Sequence, residues 1–409
     1  MRKETIKIAI IGHVDHGKST LIGRLLIDTD SLPIEKITEI KKVSRELGRE
    51  AELAFIVDQL KEEREQNKTI DTTQVFFKIK NKNFVIIDTP GHVELLKNMI
   101  TGVTQADIAL LVIDINEGIM EQTKRHLYVL NMIGINKIIV VFNKMDLVDY
   151  KKERFDILKT ELLAFLENLD IKPIFIIPVS AKQGVNISKK CYKTTWYKGP
   201  NLLKAFGLFK SNTKSIKKPL RFAVQDIYEI NNKKIIAGKV ISGILKKNQQ
   251  VLLLPSNVTV TIKSLNVFGK YNKIKACSGE NIGLSLNETL SIKRGGILAQ
   301  KENSPKLSVS FKGNIFWLCK EPLKINKTIN LRCSTQEVDC IVERIEKRID
   351  SSTLNIIEEN AKELRLNEAG LAVLKTKKPI VIEKFGFIEE LGRFAVGRDH
   401  NLMGIGIII

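Results

Sequence analysis

The chain has 409 residues, of which 43% are apolar and 27% charged, and this is the composition of a soluble globular protein. The length predicts two or three domains that can bury a core without a metal or disulfide staple. The composition excludes a disordered chain, a collagen-like repeat and a coiled coil, and no apolar run reaches the roughly 18 residues that span a bilayer. The first apolar run leads into a glycine-rich loop instead of a cleavage site, so we expect a cytoplasmic protein with no membrane partner.

The net charge and the cysteine positions indicate whether the chain binds nucleic acid, forms disulfides or holds zinc. The chain has 66 Lys and Arg against 46 Asp and Glu, a net charge of +20. The lysines are spread along the whole chain, which indicates a composition bias more than a nucleic-acid patch, although nucleic acid stays an open alternative. The cysteines form no C-x-x-C pair, so neither a disulfide framework nor a zinc site is predicted. They lie at Cys191, Cys277, Cys319, Cys333 and Cys340.

The first half of the chain alternates apolar runs with amphipathic stretches. Runs such as IKIAIIG, ADIALLVID and KIIVVFNK lack two-residue alternation, which favours parallel strands covered on both faces. The stretch ERFDILKTELLAFLENL between two such runs has helical spacing. We therefore expect an α/β domain with a doubly wound, mostly parallel sheet over residues 1–209.

The pattern changes near residue 210, at the polar and basic segment KSNTKSIKKP. Short alternating runs such as RFAVQDIY and IIAGKVIS follow, separated by Gly and Asn, and no long helix is visible. This pattern is typical of antiparallel β-barrels. A second break at KENSPK divides the region, so we expect one β-barrel domain over residues 219–302 and another over residues 305–409.

Residues Gly12–Ser19 fit the phosphate-binding pattern G-x-x-x-x-G-K-[ST] between an apolar strand and a helix. The glycines let the backbone curl so that successive N–H groups face the phosphates, and Lys18 adds a positive charge. The hydroxyl of Ser19 is suited to ligate Mg²⁺. This segment predicts a P-loop.

A second segment, Asp88–His92, follows the strand FVIID. Asp88 can hold Mg²⁺ through a water, and Gly91 can offer its N–H to the γ-phosphate because no side chain blocks its approach. His92 would then stand next to the reacting phosphate, and it is the predicted catalytic residue.

Two further segments indicate the base. Asn143–Asp146 follows the strand KIIVVF, and the Asp146 carboxylate can accept two hydrogen bonds from guanine that adenine cannot offer. Asn143 can tie this loop to the P-loop, and the Lys144 stem can cover the base. Ser180–Lys182 follows the next strand and can supply a backbone N–H to guanine O6.

Three motifs in this order, each at the carboxyl end of a strand, predict a GTPase with GTP and Mg²⁺ as its ligands. The predicted GTP-binding residues are Gly12, His13, Val14, Asp15, His16, Gly17, Lys18, Ser19, Thr20, Asp88, Thr89, Pro90, Gly91, Asn143, Lys144, Met145, Asp146, Ser180, Ala181 and Lys182.

The loops GHVDHGKS and DTPGH resemble those of the translational GTPases, and the segment EEREQNKTID resembles their switch I. The resemblance covers nearly the whole chain and implies a G domain followed by two barrels. It also implies that Thr69 ligates Mg²⁺ together with Ser19, that His92 positions the attacking water, and that Asp15 helps to hold a monovalent cation. In switch I the family's Gly and Ile are replaced by Asn67 and Lys68, and the effect of this change stays open.

Two branches of that superfamily compete. The EREQ form, the KRH triplet and the segment FWLCKEPL resemble the GTPase subunit of ATP sulfurylase. This resemblance implies a regulatory subunit of sulfate adenylyltransferase, which couples GTP hydrolysis to the formation of adenylyl sulfate from ATP and sulfate by a partner catalytic subunit. The main alternative is an elongation-factor-like GTPase that delivers aminoacyl-tRNA to the ribosome. A third hypothesis, favoured by the change at Asn67 and Lys68, is a GTPase that serves neither process.

Overall fold

The computed structural model describes residues 5–32, 73–88, 100, 103–104, 106–135, 137–209, 214–230, 233–266, 273–399 and 401–409. The chain divides into two compact units, Met1–Ser211 and Asn212–Ile409. Within the described ranges, no helix is long and apolar enough to cross a membrane. The exact bounds of the three predicted domains stay predictions.

The first unit is built on a six-stranded sheet in the order β2-β3-β1-β4-β5-β6. Its strands are β1 (Thr5–Gly12), β2 (Thr73–Ile79), β3 (Lys82–Asp88), β4 (Ile108–Asp114), β5 (Ile138–Asn143) and β6 (Phe175–Pro178). Its described helices are α1 (Lys18–Asp28), α2 (Glu121–Ile133), α3 (Lys152–Glu167) and α4 (Leu202–Gly207). All neighbouring strands are parallel except the antiparallel pair β2 and β3.

Burial explains why the apolar runs form central strands. Every residue of β4 and of β5 is buried, as expected where helices cover both faces of a parallel sheet. Leu21 and Leu25 of α1 join the same core cluster as Ile8 of β1. The mostly parallel α/β fold predicted from the sequence is therefore confirmed.

The second unit begins with a closed antiparallel barrel of six strands in the order β10-β11-β13-β8-β7-β14. The strands in this part of the chain are β7 (Arg221–Ile230), β8 (Lys233–Ser242), β9 (Ile244–Lys246), β10 (Gln250–Leu254), β11 (Val258–Asn266), β12 (Lys275–Cys277), β13 (Asn281–Leu286) and β14 (Ile297–Ala299). Strands β9 and β12 form a separate two-stranded sheet.

A second barrel follows, and pairing of β17 with β18 closes it around six strands, with β19 added on the outer side of β18. The elements here are β15 (Lys306–Trp317), β16 (Leu323–Lys324), β17 (Thr328–Cys333), β18 (Gln336–Asp350), β19 (Ile356–Ala361), β20 (Glu363–Leu364), β21 (Glu368–Ile382), α5 (Glu389–Gly392), β22 (Arg393–Arg398) and β23 (Asn401–Ile408). The prediction of two antiparallel barrels after the α/β domain is confirmed.

An apolar cluster and a buried ion pair join the two barrels within this unit. Residues from β7, β10 and β14 share one cluster with Val381, Ile388 and Leu391 of the second barrel. Beside it, the fully buried Arg221 donates to Glu383 from Nη2 at 2.6 Å and from Nε at 3.0 Å. Burial lowers the pKa of Arg221, and the hydrogen bonds and charge of Glu383 oppose that shift. Loss of either partner would leave the other charge buried and unpaired.

We expect Glu383→Gln to lower the free energy of unfolding of the second unit by about 3 kcal/mol, because the Arg221 guanidinium would lose its counter-charge inside the protein. Asp339→Asn is the matched control. It breaks the ion pair between Asp339 and Lys377, whose side chains are 47% and 65% exposed, respectively. The free energy of unfolding should therefore fall by less than about 1 kcal/mol. Both losses are measured by urea unfolding in a Trp196→Phe background, in which the fluorescence comes from the buried Trp317, the remaining tryptophan. Equal losses in the two variants would contradict this account.

Candidate nucleotide-binding site

The loop between β1 and α1 depends on two glycines. A side chain at Gly12 would place its Cβ 2.4 Å from the carbonyl oxygen of Val112 on β4, so only glycine lets the loop leave the sheet here. Gly17 has a φ of +87° and closes the loop before Lys18 begins the helix. A Cβ at Gly17 would lie 2.4 Å from Nδ2 of Asn143. The backbone is therefore held against β4 and against the base loop.

The lysine of the loop lies within the curl of the backbone. Lys18 Nζ donates to the carbonyl oxygens of Gly12 at 2.9 Å and of His13 at 2.7 Å. Ser19 and Thr20 follow in the first turn of α1, where backbone N–H groups have no partner inside the helix. An ammonium and a helix N-terminus at one loop form a site for phosphate groups.

Asn143 links three of the predicted segments. Its Nδ2 donates to the carbonyl oxygen of His16 at 2.9 Å, and its Oδ1 accepts from the backbone N–H of Ala181 at 3.0 Å. Asn143 is buried as the last residue of β5. One side chain thus joins the P-loop, the segment Asn143–Asp146 and the segment Ser180–Lys182.

Asp146 follows within a short 3₁₀ helix, Met145–Val148. Its Oδ1 is buried and has no hydrogen-bond partner among the residues that the structure describes. A buried acceptor left unpaired costs about 1 to 3 kcal/mol, so an acceptor of this kind fits a ligand that brings its own donors. The N1–H and N2–H₂ edge of guanine brings two.

Magnesium fits the donors at the phosphate end. Asp88 ends β3 and is mostly buried, and Ser19 stands at the start of α1. The described residues hold no cluster of three His, Cys, Asp or Glu that could bind a metal by itself. Mg²⁺ in phosphate sites takes only one or two protein ligands beside phosphate oxygens and waters, so Ser19 and Asp88 are sufficient for their share.

Several predicted site residues lie outside the described residues, so the geometry above does not include them. They are Thr69, Thr89, Pro90, Gly91 and His92, together with Asn67 and Lys68.

The structure adds residues that sequence reasoning missed. Asp114, the last residue of β4, pairs with Lys144 Nζ at 2.7 Å, and Glu117 Oε2 lies 3.1 Å from Nε2 of the buried His16. Burial lowers the pKa of His16, although Val112 and Glu117 oppose that shift. Nδ1 of His16 lies 3.3 Å from the carbonyl oxygen of Val112, so a hydrogen-bond acceptor faces each of the two ring nitrogens. The strand-end rule that identified Asp88 and Asn143 applies equally to Asp114.

A buried polar group on α2 also went unnoticed. His126 is fully buried, and its Nε2 lies 3.0 Å from Nε2 of Gln122. Burial, and to a smaller extent the charges of Lys18, His13 and His16, lowers the pKa of His126 to about 3. The ring is therefore neutral at physiological pH.

Comparison with known proteins identifies the family. Residues 3–238 match the family described as Elongation factor Tu GTP binding domain, and residues 310–409 match the one described as GTP-eEF1A C-terminal domain-like. The first match covers more than half of the chain, so GTP and Mg²⁺ are the ligands of the first domain.

Similar proteins match over the full length. Elongation factor 1-alpha of Archaeoglobus fulgidus is 37% identical over 415 residues, covering 100% of this chain and 98% of the relative. That of Pyrococcus furiosus is 36% identical over 423 residues with the same coverage. The solved structure of sup35 complexed with GDP is 24% identical, with a TM-score of 0.47, over 100% of this chain and 94% of that one.

These relatives overturn one expectation. The assignment to ATP sulfurylase is wrong, and with it the expected partner, a catalytic adenylyl-transferring subunit. The EREQ, KRH and FWLCKEPL segments that favoured it are short, and similarity over all 409 residues outweighs them. The chain therefore belongs to the translational GTPase superfamily and, within it, to the family of the elongation factors 1-alpha.

Proposed function

We propose that this protein is a translation elongation factor that binds aminoacyl-tRNA in its GTP-bound state and delivers it to the ribosome. The observation that carries the proposal is the match to elongation factors 1-alpha across 100% of the chain, barrels included. A GTPase domain alone would be compatible with many partners, because one fold hosts many functions. The match of residues 310–409 to an elongation-factor family therefore bears directly on the partner.

The charge of the chain agrees with an RNA partner. A net charge of +20 raises the local concentration of a polyanion and adds a binding term that weakens with salt. Spread over the sequence, this charge did not by itself indicate nucleic acid. Together with the family it favours tRNA over the small-molecule chemistry of adenylyl transfer.

Within this function we propose a role for each residue that contacts the nucleotide. The amides of the P-loop and Lys18 hold the phosphates, and Ser19 and Asp88 would hold Mg²⁺. Asp146 selects guanine, and Asn143 keeps the phosphate and base loops at a fixed separation. These donors stabilise the charge of the phosphates, to which bound Mg²⁺ would add its own positive charge, and His92 orients the water that attacks.

The function is tested by protection of the aminoacyl ester. An elongation factor bound to aminoacyl-tRNA shields that ester from water, so spontaneous deacylation should slow by about tenfold or more with the GTP-bound protein and remain near the free rate with GDP. The rates are read from acid-precipitable aminoacyl-tRNA over time. Competition with uncharged tRNA is the control. Absence of protection in both nucleotide states would rule the proposal out.

We expect Asp146→Asn to exchange guanine for xanthine specificity. The amide presents a donor toward the guanine amino group, whereas xanthine offers a carbonyl there, so GTP affinity should fall by about a hundredfold or more and xanthosine triphosphate should bind instead. Asp149→Asn, at an exposed position three residues later, is the control. Nucleotide titration by calorimetry decides the matter, and unchanged GTP affinity in Asp146→Asn would remove the guanine assignment.

A further inference from the structure

One short loop contacts both ends of the proposed nucleotide site. Residues 114–118 connect the end of β4 to the segment before α2. At one end of the loop, Glu117 Oε2 lies 3.1 Å from His16 Nε2, and the carbonyl oxygen of the same His16 accepts from Asn143. His16 is buried within the P-loop, so Glu117 bears on the phosphate side of the site.

The other end of the loop contacts the base side of the site, through Asp114. The buried carboxylate of Asp114 lies 2.7 Å from Nζ of Lys144, whose backbone has a left-handed φ of +62°. Asp114 therefore fixes the ammonium end of the Lys144 side chain, whose aliphatic part should cover guanine, and the left-handed backbone conformation fixes its start. Lys144 has a half-buried side chain, 30% exposed, and fixing such a long side chain removes rotamer freedom before a ligand arrives.

Hydrogen bonds within the loop and from α3 hold residues 114–118 in one conformation. Asp114 Oδ1 accepts from the N–H of Asn116 at 2.8 Å, and the Asp114 carbonyl accepts from the N–H of Gly118 at 2.9 Å. Arg154 of α3 donates to the carbonyl oxygens of Ile115 and Asn116, each at 2.9 Å. A displacement at either end of so short and so strongly bonded a loop would be transmitted to the other.

We propose that Asp114 and Glu117 are positioning residues for the guanine nucleotide and that their loop links the P-loop to Lys144. Through this link, the contacts of the protein with the phosphates and with the base weaken together. Asp114 acts through Lys144 and Glu117 acts through His16. The inference rests on the nucleotide site proposed above but not on the tRNA partner. Its consequence is that the loop sets the rate at which GDP leaves.

The test measures association and dissociation rates of a fluorescent GDP analogue by stopped flow on the full chain. Asp114→Asn keeps an oxygen for Asn116 but removes the charge that faces Lys144, and Glu117→Ala removes the acceptor for His16. Each should raise the dissociation rate by about tenfold and leave the association rate within about twofold. Glu117→Gln keeps a carbonyl acceptor and should restore most of the slow release.

Double variants test how these residues act. In a Lys144→Met background, Asp114→Asn should have no further effect, because the group through which it acts is gone. Asp114→Asn combined with Glu117→Ala should release GDP about as fast as the faster single variant, since loosening either end already frees the loop. Asp156→Asn, which breaks the exposed pair with Lys152, and Glu161→Gln, exposed on the same helix, are the controls and should match the parent.

Three results would overturn the inference: single-variant dissociation rates within twofold of the parent, an undiminished effect of Asp114→Asn in the Lys144→Met background, or multiplication of the two single effects in the double variant. If Asp114→Asn fails to fold, the partly exposed Lys144→Met carries the base-side measurement with Glu117→Ala. A parent protein that binds no GDP would instead refute the nucleotide site itself, so the two failures are distinguishable.

Discussion

The nucleotide site depends on one amide, that of Asn143, which bonds both the P-loop and the segment at Ser180–Lys182. An amide can donate and accept at once, and both capacities are used. A carboxylate of the same shape could not donate, and an apolar side chain could do neither, so each would leave a buried backbone group unpaired at a cost of about 1 to 3 kcal/mol. The contact also requires glycine at position 17, because a Cβ there would collide with the Asn143 amide.

Around that amide the parallel sheet supplies the remaining geometry. Strands β1, β3, β4 and β5 end at the same edge, and each ends in a residue of the site or of its supporting loop. This is the general location of ligands in open α/β sheets. The loop 114–118 adds a second connection between phosphate and base sides, made by the Asp114–Lys144 ion pair and the contact of Glu117 with His16. Two connections of different chemistry explain how a site assembled from separate loops can be rigid before nucleotide binds.

The sequence was sufficient to predict the fold class, because that depends on local signals, and the motif residues were identified from their spacing. A buried parallel strand reads as a continuous apolar run, and a P-loop needs its glycines and lysine at fixed spacing. Strand β2 was not predicted. Its segment TQVFFKI mixes polar and apolar residues, as an antiparallel edge strand does, and lacks the continuous apolar run of the parallel strands. Asp114, Glu117 and Arg154 were missed for a different reason: their partners lie about 30 residues or more away in sequence, and only the folded sheet brings them together.

The choice between branches of the superfamily failed because the motifs describe chemistry that the branches share. Guanine recognition and phosphate binding are the same whether the GTPase serves translation or another process, so residues that perform them carry no information about the partner. That information lies in surfaces assembled from many weakly informative positions. A few short segments cannot represent those positions, whereas similarity over the whole chain sums them.

The central claim is that this GTPase serves the elongating ribosome, and the direct measurement is GTP hydrolysis with ribosomes of the organism that encodes the chain. Single-turnover hydrolysis by the GTP- and aminoacyl-tRNA-bound protein would be followed on ribosomes whose vacant codon matches or does not match the tRNA. We predict acceleration by orders of magnitude on the matching codon only, because a correctly bound partner completes the catalytic arrangement. Hydrolysis that is indifferent to ribosomes and codon would contradict the claim.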